Sequence, residues 1–600
     1  MGGSSYTLVR TTKKAITQVS ATESELKDMK RKQVVNKESK DTDCLYSDDN
    51  MCQAWVNSDL SKRPVQKAKN VKTALDHFLD DIDPSARKNL IFTCTKKTPN
   101  RDSIALCIIE NAGWKFKVPQ SVTSVNRYLA YTRDKLLVNI LHDFQHIKRI
   151  VLVEEKYYFT PDDFKAQTRL NRQSKANSSS ISNLKTAEEI CNEESLQMKE
   201  VTTTAAGKTG IGNVCGSHGG KFNLKRDVTV DVDCEWLFHR CLCSASHVSL
   251  CICDDSHKAY ATPVRYDYKS TGEEPTCQKL NHIRQRKGEA EMGQVDWLKE
   301  ALPTLNDDEA VLSAVTSGDV DSLIVHMLFL SYGWPRKDDG DFKHPVYVWL
   351  LNPGKVYLIT GIIRLIEKKF GKNGAMKVAL ALSMAGNDFL PQFYFIAHNS
   401  FLKSFMAHPN AFDTLFKFEF NHPDICTRTE CTSISLDYQT HEDFVKYLYT
   451  EGKLKGENAS FELVRLWSMK NLETGKRKKD PMRYMPPKSC VRKHAKLVEC
   501  YITYMLTTGN NSKLGPNFME SGCLKICDGV VRYNFGDDSH TDPEKIDEYL
   551  MQLEEQLPEG PTRKCQTPKK RKPRKRQQAD TPQKGHRRKQ MFLETSTPNK

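Results

Sequence analysis

The sequence predicts an α/β protein with a mainly parallel β-sheet flanked by helices. Short apolar runs of strand length occur at residues 103–109 and 149–153, and a helical apolar face lies between them at 125–147. A strand, a helix and a strand in this order predict a right-handed crossover and therefore a parallel strand pair. A second alternation of strand and helix patterns spans residues 285–400, which predicts further strands in the same sheet.

The composition adds segments that do not belong to a compact core. Of the 600 residues only 38% are hydrophobic, so we expect part of the chain to be disordered. The predicted organisation is a disordered basic N-terminus, a first α/β part, a linker with a Cys- and His-rich insertion, a second α/β part, a helical C-terminal region and a disordered basic tail, at residues 1–85, 87–172, 173–284, 285–400, 401–555 and 556–600.

Charge and cysteine content indicate the cellular setting. The net charge is +15, and dense basic runs lie at residues 569–576 and 587–589. Such runs are typical of nuclear import signals or of sequence-independent phosphate contacts, although a solvated tail has the same composition. The 19 cysteines are scattered and no secretory signal precedes them, so reduced thiols are expected. No run of about 18 apolar residues occurs, and no membrane span is expected.

Three acidic clusters follow one another in the second α/β part. They are Glu289 with Glu291, Asp319 with Asp321, and Asp388 in a Gly-Asn-Asp-Phe-Leu-Pro segment. Carboxylates at strand ends and helix starts converge at one edge of an open α/β sheet. Mg²⁺ and Mn²⁺ prefer such oxygen ligands, so the clusters predict a divalent-metal site.

Each cluster also has a purely structural interpretation. Alternate residues of a strand share a face, which would aim Asp319 and Asp321 into one site, but Ser-Gly-Asp is also common turn chemistry. Glu289 and Glu291 could simply complement a helix dipole. Asp388 could belong to a turn that caps the preceding helix. The order of the three clusters favours a metal site over these separate explanations.

This order resembles the flap-endonuclease-like branch of the PIN nuclease superfamily, including divergent members associated with mobile elements or viruses. The resemblance covers residues 289–391, with a Glu-Ala-Glu element, an Asp-x-Asp pair and a Gly-x-Asp-x-x-Pro-like turn. It implies a PIN-like sheet and a metal-dependent nuclease that cleaves nucleic-acid phosphodiester bonds, with DNA favoured over RNA. Two Mg²⁺ or Mn²⁺ ions would be held by Glu289, Glu291, Asp319, Asp321 and Asp388.

Upstream, the resemblance is looser. Glu110 and either Glu154 or Glu155 end the first two predicted strands. There the resemblance implies two further metal-binding carboxylates, although the family usually has Asp at both places. A helix that carries Lys165, Arg169 and Arg172 resembles a basic helix of some relatives that contacts the nucleic-acid backbone; a solvated basic face is the alternative. The Glu residues leave open a second hypothesis, a catalytically degenerate nuclear nucleic-acid-binding protein of mobile-element or viral origin.

A rival assignment uses Asp231 or Asp233 and Asp254 as the first two acidic strand ends. These positions are only about two dozen residues apart, which leaves little room for a full crossover helix. The surrounding segment, residues 215–257, is rich in Cys and His and could hold structural Zn²⁺. Its cysteines are spaced Cys-x-Cys rather than Cys-x-x-Cys. On a strand, cysteines at this spacing share a face and could instead be ordinary core residues. A basic scaffold with a zinc-binding insertion is therefore a third hypothesis.

A second basic face is predicted in the C-terminal region. Lys488, Arg492, Lys493 and Lys496 lie at helical spacing, with Tyr501 and Tyr504 beyond them. Basic and aromatic side chains together could contact nucleic acid.

Overall fold

The computed structural model describes residues 7–12, 15–20, 67–99, 101–110, 114, 119, 131–153, 226–232, 263–271, 273, 275–283, 289–317, 319–352, 354–387, 389–393, 396–421, 431–450, 460, 461, 463, 464, 485–507, 518–527 and 530–534. They all belong to one compact unit, Met1–Glu555.

The strands in these ranges are β1 (Thr7–Thr12), β2 (Ala15–Ser20), β3 (Ile91–Phe92), β4 (Ile104–Glu110), β5 (Arg149–Val153), β6 (Val228–Val232), β7 (Val264–Tyr268), β8 (Thr276–Lys279), β9 (Ala310–Val315), β10 (Val346–Leu350), β11 (Lys355–Leu358), β12 (Phe416–Phe420), β13 (Cys431–Leu436), β14 (Leu524–Cys527) and β15 (Val530–Tyr533). The helices are α1 (Lys67–Ile82), α2 (Pro84–Arg87), α3 (Val138–Asp143), α4 (Ala290–Ala301), α5 (Asp321–Gly333), α6 (Ile359–Phe370), α7 (Gly374–Met384), α8 (His398–Ala407), α9 (Pro409–Thr414), α10 (Tyr438–Thr450) and α11 (Lys488–Leu506).

A mixed sheet of nine strands organises the fold, in the order β3-β11-β10-β9-β4-β5-β6-β7-β8. The central strands β10, β9, β4, β5 and β6 are parallel. The strands at both edges are antiparallel to their neighbours. The predicted α/β sheet flanked by helices is confirmed. The expectation of a mainly parallel sheet is correct only for the centre, because antiparallel hairpins extend it on both sides.

The order of the parallel strands creates a switch point between β4 and β9. From β4 the chain adds β5 and then β6 on one side, and it later adds β9 and then β10 on the other side. In open α/β sheets, ligands bind outside the carboxyl ends of the strands where the direction of addition changes. A functional site is therefore expected at the carboxyl ends of β4 and β9.

One row of paired residues marks this edge across five strands. Val153 pairs with Glu110, Glu110 with Val315, Val315 with Leu350, and Leu350 with Lys355. Val153, Val315 and Leu350 belong to the larger of two hydrophobic cores. That core lies on the face of the sheet covered by α4, α5, α6 and α7. Since strand residues alternate between faces, the Glu110 side chain is directed to the same face.

The smaller core lies on the opposite face. There α3 and the preceding turn bury Leu137, Ile140 and Phe144 against Cys107 and Ile109 of β4. The predicted helix at 125–147 is therefore present in its second half, where Arg133–Leu137 forms a π-helical turn that leads into α3.

The N-terminal boundary predicted at residue 85 is wrong for α1. Val71, Leu75, Phe78 and Leu79 of this helix are buried in the larger core, so this part of the segment is not a disordered tail. β1 and β2 also lie in the same segment and pair as an antiparallel hairpin. The predicted tail, residues 556–600, lies outside the described residues.

The boundary of the predicted insertion also changes. β6, β7 and β8 lie within residues 173–284, yet they extend the main sheet beyond β5. β6 pairs with β5 in parallel, and β7 and β8 follow as antiparallel strands. The two ends of the predicted insertion are thus part of the α/β core.

The C-terminal region contains helices together with two hairpins, β12–β13 and β14–β15. α10 and α11 pack against one another, and Glu442 is buried between them, where it accepts from Arg492 Nε at 2.6 Å and lies 3.0 Å from Lys488 Nζ. Two of the four lysines and arginines predicted to contact nucleic acid are therefore engaged in an ion-pair cluster. No helix in the described part of the chain is both long and apolar enough to cross a bilayer.

A buried ion triad links β5, β6 and β7. Asp231 is 0% exposed and accepts hydrogen bonds from Arg149 Nε at 2.6 Å and from Arg265 Nε at 2.8 Å. Hydrogen bonding to Asp231 raises the pKa of Arg265. Arg149 also lies over the ring of Trp297 on α4. Because two guanidinium groups surround the carboxylate, Asp231 acts as an internal counter-charge.

Replacing Asp231 with Asn should lower the free energy of unfolding by about 3 kcal/mol, because two largely buried cations lose their common partner. Urea unfolding followed by circular dichroism measures the loss. Asp227→Asn is the matched control: its exposed carboxylate contacts Lys269 and Ser270 beside the same strand, and its loss should leave the midpoint nearly unchanged. Equal midpoints for the two variants would contradict this role of Asp231.

Candidate acidic site at the sheet switch point

Glu110 lies at the switch point, and its carboxylate binds the loop that leaves the neighbouring strand. Glu110 is 4% exposed. Its Oε2 accepts from the backbone N of Thr316 at 3.0 Å and of Ser317 at 3.1 Å, and the Thr316 hydroxyl donates to the Glu110 backbone oxygen at 2.6 Å. Glu110 therefore fixes the start of the loop between β9 and α5, a role that its strand-end position alone did not reveal.

Asp319 and Asp321 follow in this loop. Asp319 is half-buried, and its backbone N donates to Ser317 Oγ at 3.2 Å. Asp319 Oδ1 accepts from the backbone N of Asp321 at 3.1 Å, and Asp321 is 6% exposed in the first turn of α5. The expectation that both residues extend the strand is wrong, because β9 ends at Val315. They nevertheless lie at its carboxyl end, where the helix dipole favours negative charge.

Glu289 and Glu291 begin the helix that packs across the same strands. Glu289 is the N-cap of α4 and is 5% exposed, and Glu291 is half-buried in the first turn. The helix approaches β5 closely at Gly293, where an added Cβ would lie 2.8 Å from Val153 Cγ1. Since Val153 ends β5, the start of α4 lies at the carboxyl edge of the sheet.

A side-chain amide fixes α4 over the switch point. Gln294 Nε2 donates to the backbone oxygen of Ala314 on β9, and Gln294 Oε1 accepts from Ser322 on α5. The structure thus brings Glu110, the Asp319–Asp321 loop and the start of α4 to one edge. Gln294 and Ser322 belong to no sequence motif, so no pattern in the sequence predicts their role.

Asp388 lies outside the described residues, but both flanks of its turn are defined. Gly386 has φ of +118°, and an added Cβ would lie 2.9 Å from Gln392 Cα. Asn387 Oδ1 accepts from the backbone N of Phe389 at 2.8 Å and of Leu390 at 2.9 Å. His398 Nε2 lies 2.9 Å from the backbone oxygen of Gly386. The sharp turn expected from Gly and Pro is present, and Asn387 organises it.

Aromatic residues of the C-terminal region support this turn. Phe389 packs against Tyr501, Tyr504 and Phe518, with ring centroids 5.1–5.5 Å apart. Tyr501 and Tyr504 are buried. These two tyrosines are therefore not part of an exposed face that could contact nucleic acid; they pack against the segment that follows Asp388.

Other predicted residues have different outcomes. The carboxylate of Asp231, which belongs to the rival assignment, forms ion pairs with Arg149 and Arg265. The other predicted ligands lie outside the described residues: Asp233, Asp254, Glu154 and Glu155. The predicted nucleic-acid contacts Lys165, Arg169 and Arg172 and residues 233–257 of the Cys/His segment also lie outside them.

The described residues do not by themselves assemble a metal site. Among them, no group of three or more His, Cys, Asp or Glu side chains is arranged to hold an ion. The carboxylates of Glu289, Asp319 and Asp321 are the oxygen donors that Mg²⁺ or Mn²⁺ would use. Ligands for a complete site would have to include residues beyond the described part, such as Asp388 and Glu154.

Comparison of the sequence with protein-family models and with curated proteins finds no match.

The geometry of the turn leads to a stability prediction. Gly386→Ala should lower the free energy of unfolding by about 2–4 kcal/mol, because the new Cβ adds a backbone collision to the cost of a positive φ. Gly354→Ala is the matched control, since Gly354 also has a positive φ (+89°) but an added Cβ there would meet no atom within 4 Å. This variant should lose about 1 kcal/mol of unfolding free energy. Chemical denaturation compares the two variants. Equal losses of unfolding free energy would contradict a cost from the collision with Gln392.

Proposed function

We propose that this protein is a divalent-metal-dependent nuclease that cleaves phosphodiester bonds, with a PIN-like core of the flap-endonuclease-like type. The observation that carries the proposal is the convergence of Glu110, the Asp319–Asp321 loop and the Glu289–Glu291 helix start at the switch point. These elements are far apart in sequence and meet where open α/β sheets bind their ligands.

The donor set fits Mg²⁺ or Mn²⁺ better than a soft metal. Glu289, Asp319 and Asp321 offer carboxylate oxygen, the ligand type that these hard cations prefer. In this proposal Asp388 and Glu154 complete the site, and Glu110 holds the loop. When bound, two ions supply activated water and stabilisation of the leaving oxygen.

Positive charge on the same edge favours a phosphate-bearing substrate. Lys355 occupies the same row as Glu110, three strands away, or about 14 Å at ordinary strand spacing. Lys355 Nζ lies 3.0 Å from Asp76 Oδ2, and Arg87 shares that carboxylate oxygen. Burial and the nearby Lys355 both lower the pKa of Lys72. Three cations thus lie around Asp76, and Arg87 also pairs with Asp80 at 3.3 Å. Three cations against two carboxylates leave one excess positive charge, which phosphate would balance.

The basic runs at residues 569–576 and 587–589 complete the proposal. They would direct the protein to the nucleus and add sequence-independent contacts to the backbone of nucleic acid. DNA is favoured over RNA as the substrate, as the resemblance of the acidic motifs implies.

The second candidate is a catalytically degenerate nucleic-acid-binding protein with the same fold. The observation in its favour is that Glu110 Oε2 accepts hydrogen bonds from the backbone N of Thr316 and of Ser317. A carboxylate oxygen with this structural role is less suited to metal binding. In this case the edge would retain its shape and its basic surroundings without cleavage.

Activity separates the two candidates. The double variant Asp319→Asn with Asp321→Asn should lose Mg²⁺- or Mn²⁺-dependent cleavage of a labelled branched or single-stranded substrate by at least about 100-fold, since metal ligands are removed. Binding in the absence of metal should be kept or become tighter, because two negative charges near phosphate are lost.

The matched control is Asp307→Asn with Asp338→Asn. It makes the same charge change with two exposed residues near the opposite edge of the sheet and should cleave like the wild type. A double Asn variant of the acidic pair that cleaves normally would exclude the site. A wild-type protein that binds nucleic acid but never cleaves would favour the degenerate candidate.

The basic edge makes a separate prediction about affinity. Lys72→Gln with Lys355→Gln should weaken nucleic-acid binding and reduce the slope of log K against log salt by about 1–2, since each lost phosphate contact contributes about 0.9. Fluorescence anisotropy at several salt concentrations measures both quantities. Lys337→Gln with Lys343→Gln, near the opposite edge, is the charge-matched control, and equal slopes in the two double variants would refute the basic edge.

A further inference from the structure

A buried polar network joins the four elements around the candidate site. At its centre Gln294 is 0% exposed on α4. Its Nε2 donates to the backbone oxygen of Ala314 on β9 at 3.1 Å and of Ile108 on β4 at 3.4 Å. Its Oε1 accepts from Ser322 Oγ on α5 at 2.9 Å. One side chain therefore bonds to three elements other than its own.

The network continues to His326, and its proton positions follow from its partners. His326 Nδ1 lies 2.7 Å from the backbone oxygen of Ser322, which can only accept, so Nδ1 carries the hydrogen. His326 Nε2 then accepts from Ser313 Oγ at 2.9 Å. Burial lowers the pKa of His326 to about 4, so the ring is neutral at pH 7.

The orientation of the Gln294 amide is fixed as well. Both Nε2 hydrogens face backbone oxygens that can only accept, and Oε1 faces a hydroxyl. Turning the amide over would point Oε1 at the two backbone oxygens. The amide therefore has one satisfactory orientation, which sets α4 in one register against β4, β9 and α5.

We infer that Gln294 is a positioning residue for the acidic site, an inference that rests on the proposed function. Gln294 lies three residues after Glu291, about 4.5 Å along the helix axis. Ser322 follows Asp321 directly, and Ile108 precedes Glu110 by two residues on the same strand. A shift of the amide would move these acidic residues relative to one another, and a misplacement of about 1 Å can cost about 100-fold in rate.

Core packing alone does not explain a glutamine at this position. A methionine or leucine of similar size would fill the volume without burying an amide, whose desolvation is costly unless every hydrogen bond is made. Gln294 makes them across element boundaries. By contrast, the buried Ser331 on α5 donates to Met327 of its own helix at 2.6 Å, which constrains no neighbouring element.

The first test is Gln294→Met, with Ser331→Ala as the control for loss of a buried hydrogen bond. In the full-length protein, Gln294→Met should lower kcat by about 10–100-fold with little change in KM, and weaken Mn²⁺ binding to a similar degree, as removal of groups behind metal ligands does. Ser331→Ala should leave kcat and Mn²⁺ affinity unchanged. Thermal unfolding of both variants establishes that they are folded at the assay temperature.

The second test is Gln294→Glu, which restores two of the three hydrogen bonds of Gln294, and only when it is protonated. A neutral carboxylic acid can donate to Ala314 and accept from Ser322, whereas a carboxylate cannot donate. Burial raises the pKa of such a group, so the activity of this variant relative to wild type should rise as the pH is lowered from about 8 to about 6. A ratio that stays constant with pH would overturn the positioning role.

The outcomes distinguish the two proposals. A wild type that binds Mn²⁺ and cleaves, with Gln294→Met equal to it in kcat and in Mn²⁺ affinity, overturns the inference about Gln294 and leaves the proposed function intact. A wild type that neither binds Mn²⁺ in isothermal titration nor cleaves nucleic acid overturns both.

Discussion

The adjacency of β4 and β9 is the constraint on which the rest of the structure depends. The two strands are far apart in sequence: Glu110 and Thr316, which bond across their ends, are separated by 206 positions. Pairing them requires the chain to build β5 and β6 on one side and to return to the other side of β4. The loop after β9, the start of α5 and the start of α4 are then placed by contacts with these two strand ends. The acidic edge is a consequence of this pairing.

Buried polar groups serve two different purposes in this core. The triad of Arg149, Asp231 and Arg265 pairs opposite charges and joins strands side by side. The network around Gln294 is neutral and joins helices to strands. The triad has two cations and one carboxylate, whereas the Gln294 network carries no charge. At the carboxyl edge of the sheet, carboxylates lie at the ends of β4 and β9, and cations lie around Asp76 beside β11.

Local patterns gave the strands reliably, while contacts between distant residues had to come from the structure. Apolar runs located β4 and β5 to within one residue, because strands buried on both faces are nearly continuous apolar runs. α1 was missed since its lysines and aspartates mask apolar residues that do recur at helical spacing. The prediction placed Asp319 and Asp321 at the correct strand end. It put them in the strand, whereas they lie in the loop and the first helical turn that follow it. No sequence pattern predicts that Tyr501 and Tyr504 are buried or which groups Gln294 binds. Both depend on which helices and strands pack against one another.

The support of the Asp388 turn by α11 has a consequence for biosynthesis. Phe389 rests on Tyr501 and Tyr504, which are translated more than a hundred residues later, and at about 5–20 residues per second this delay lasts several seconds or more. A nascent chain can pair β4 with β9 before α11 has left the ribosome, yet its turn has no aromatic support until then. This turn therefore gains its aromatic support after nearly the whole sheet has been synthesised, and a truncated chain that ends before α11 would form the sheet without that support.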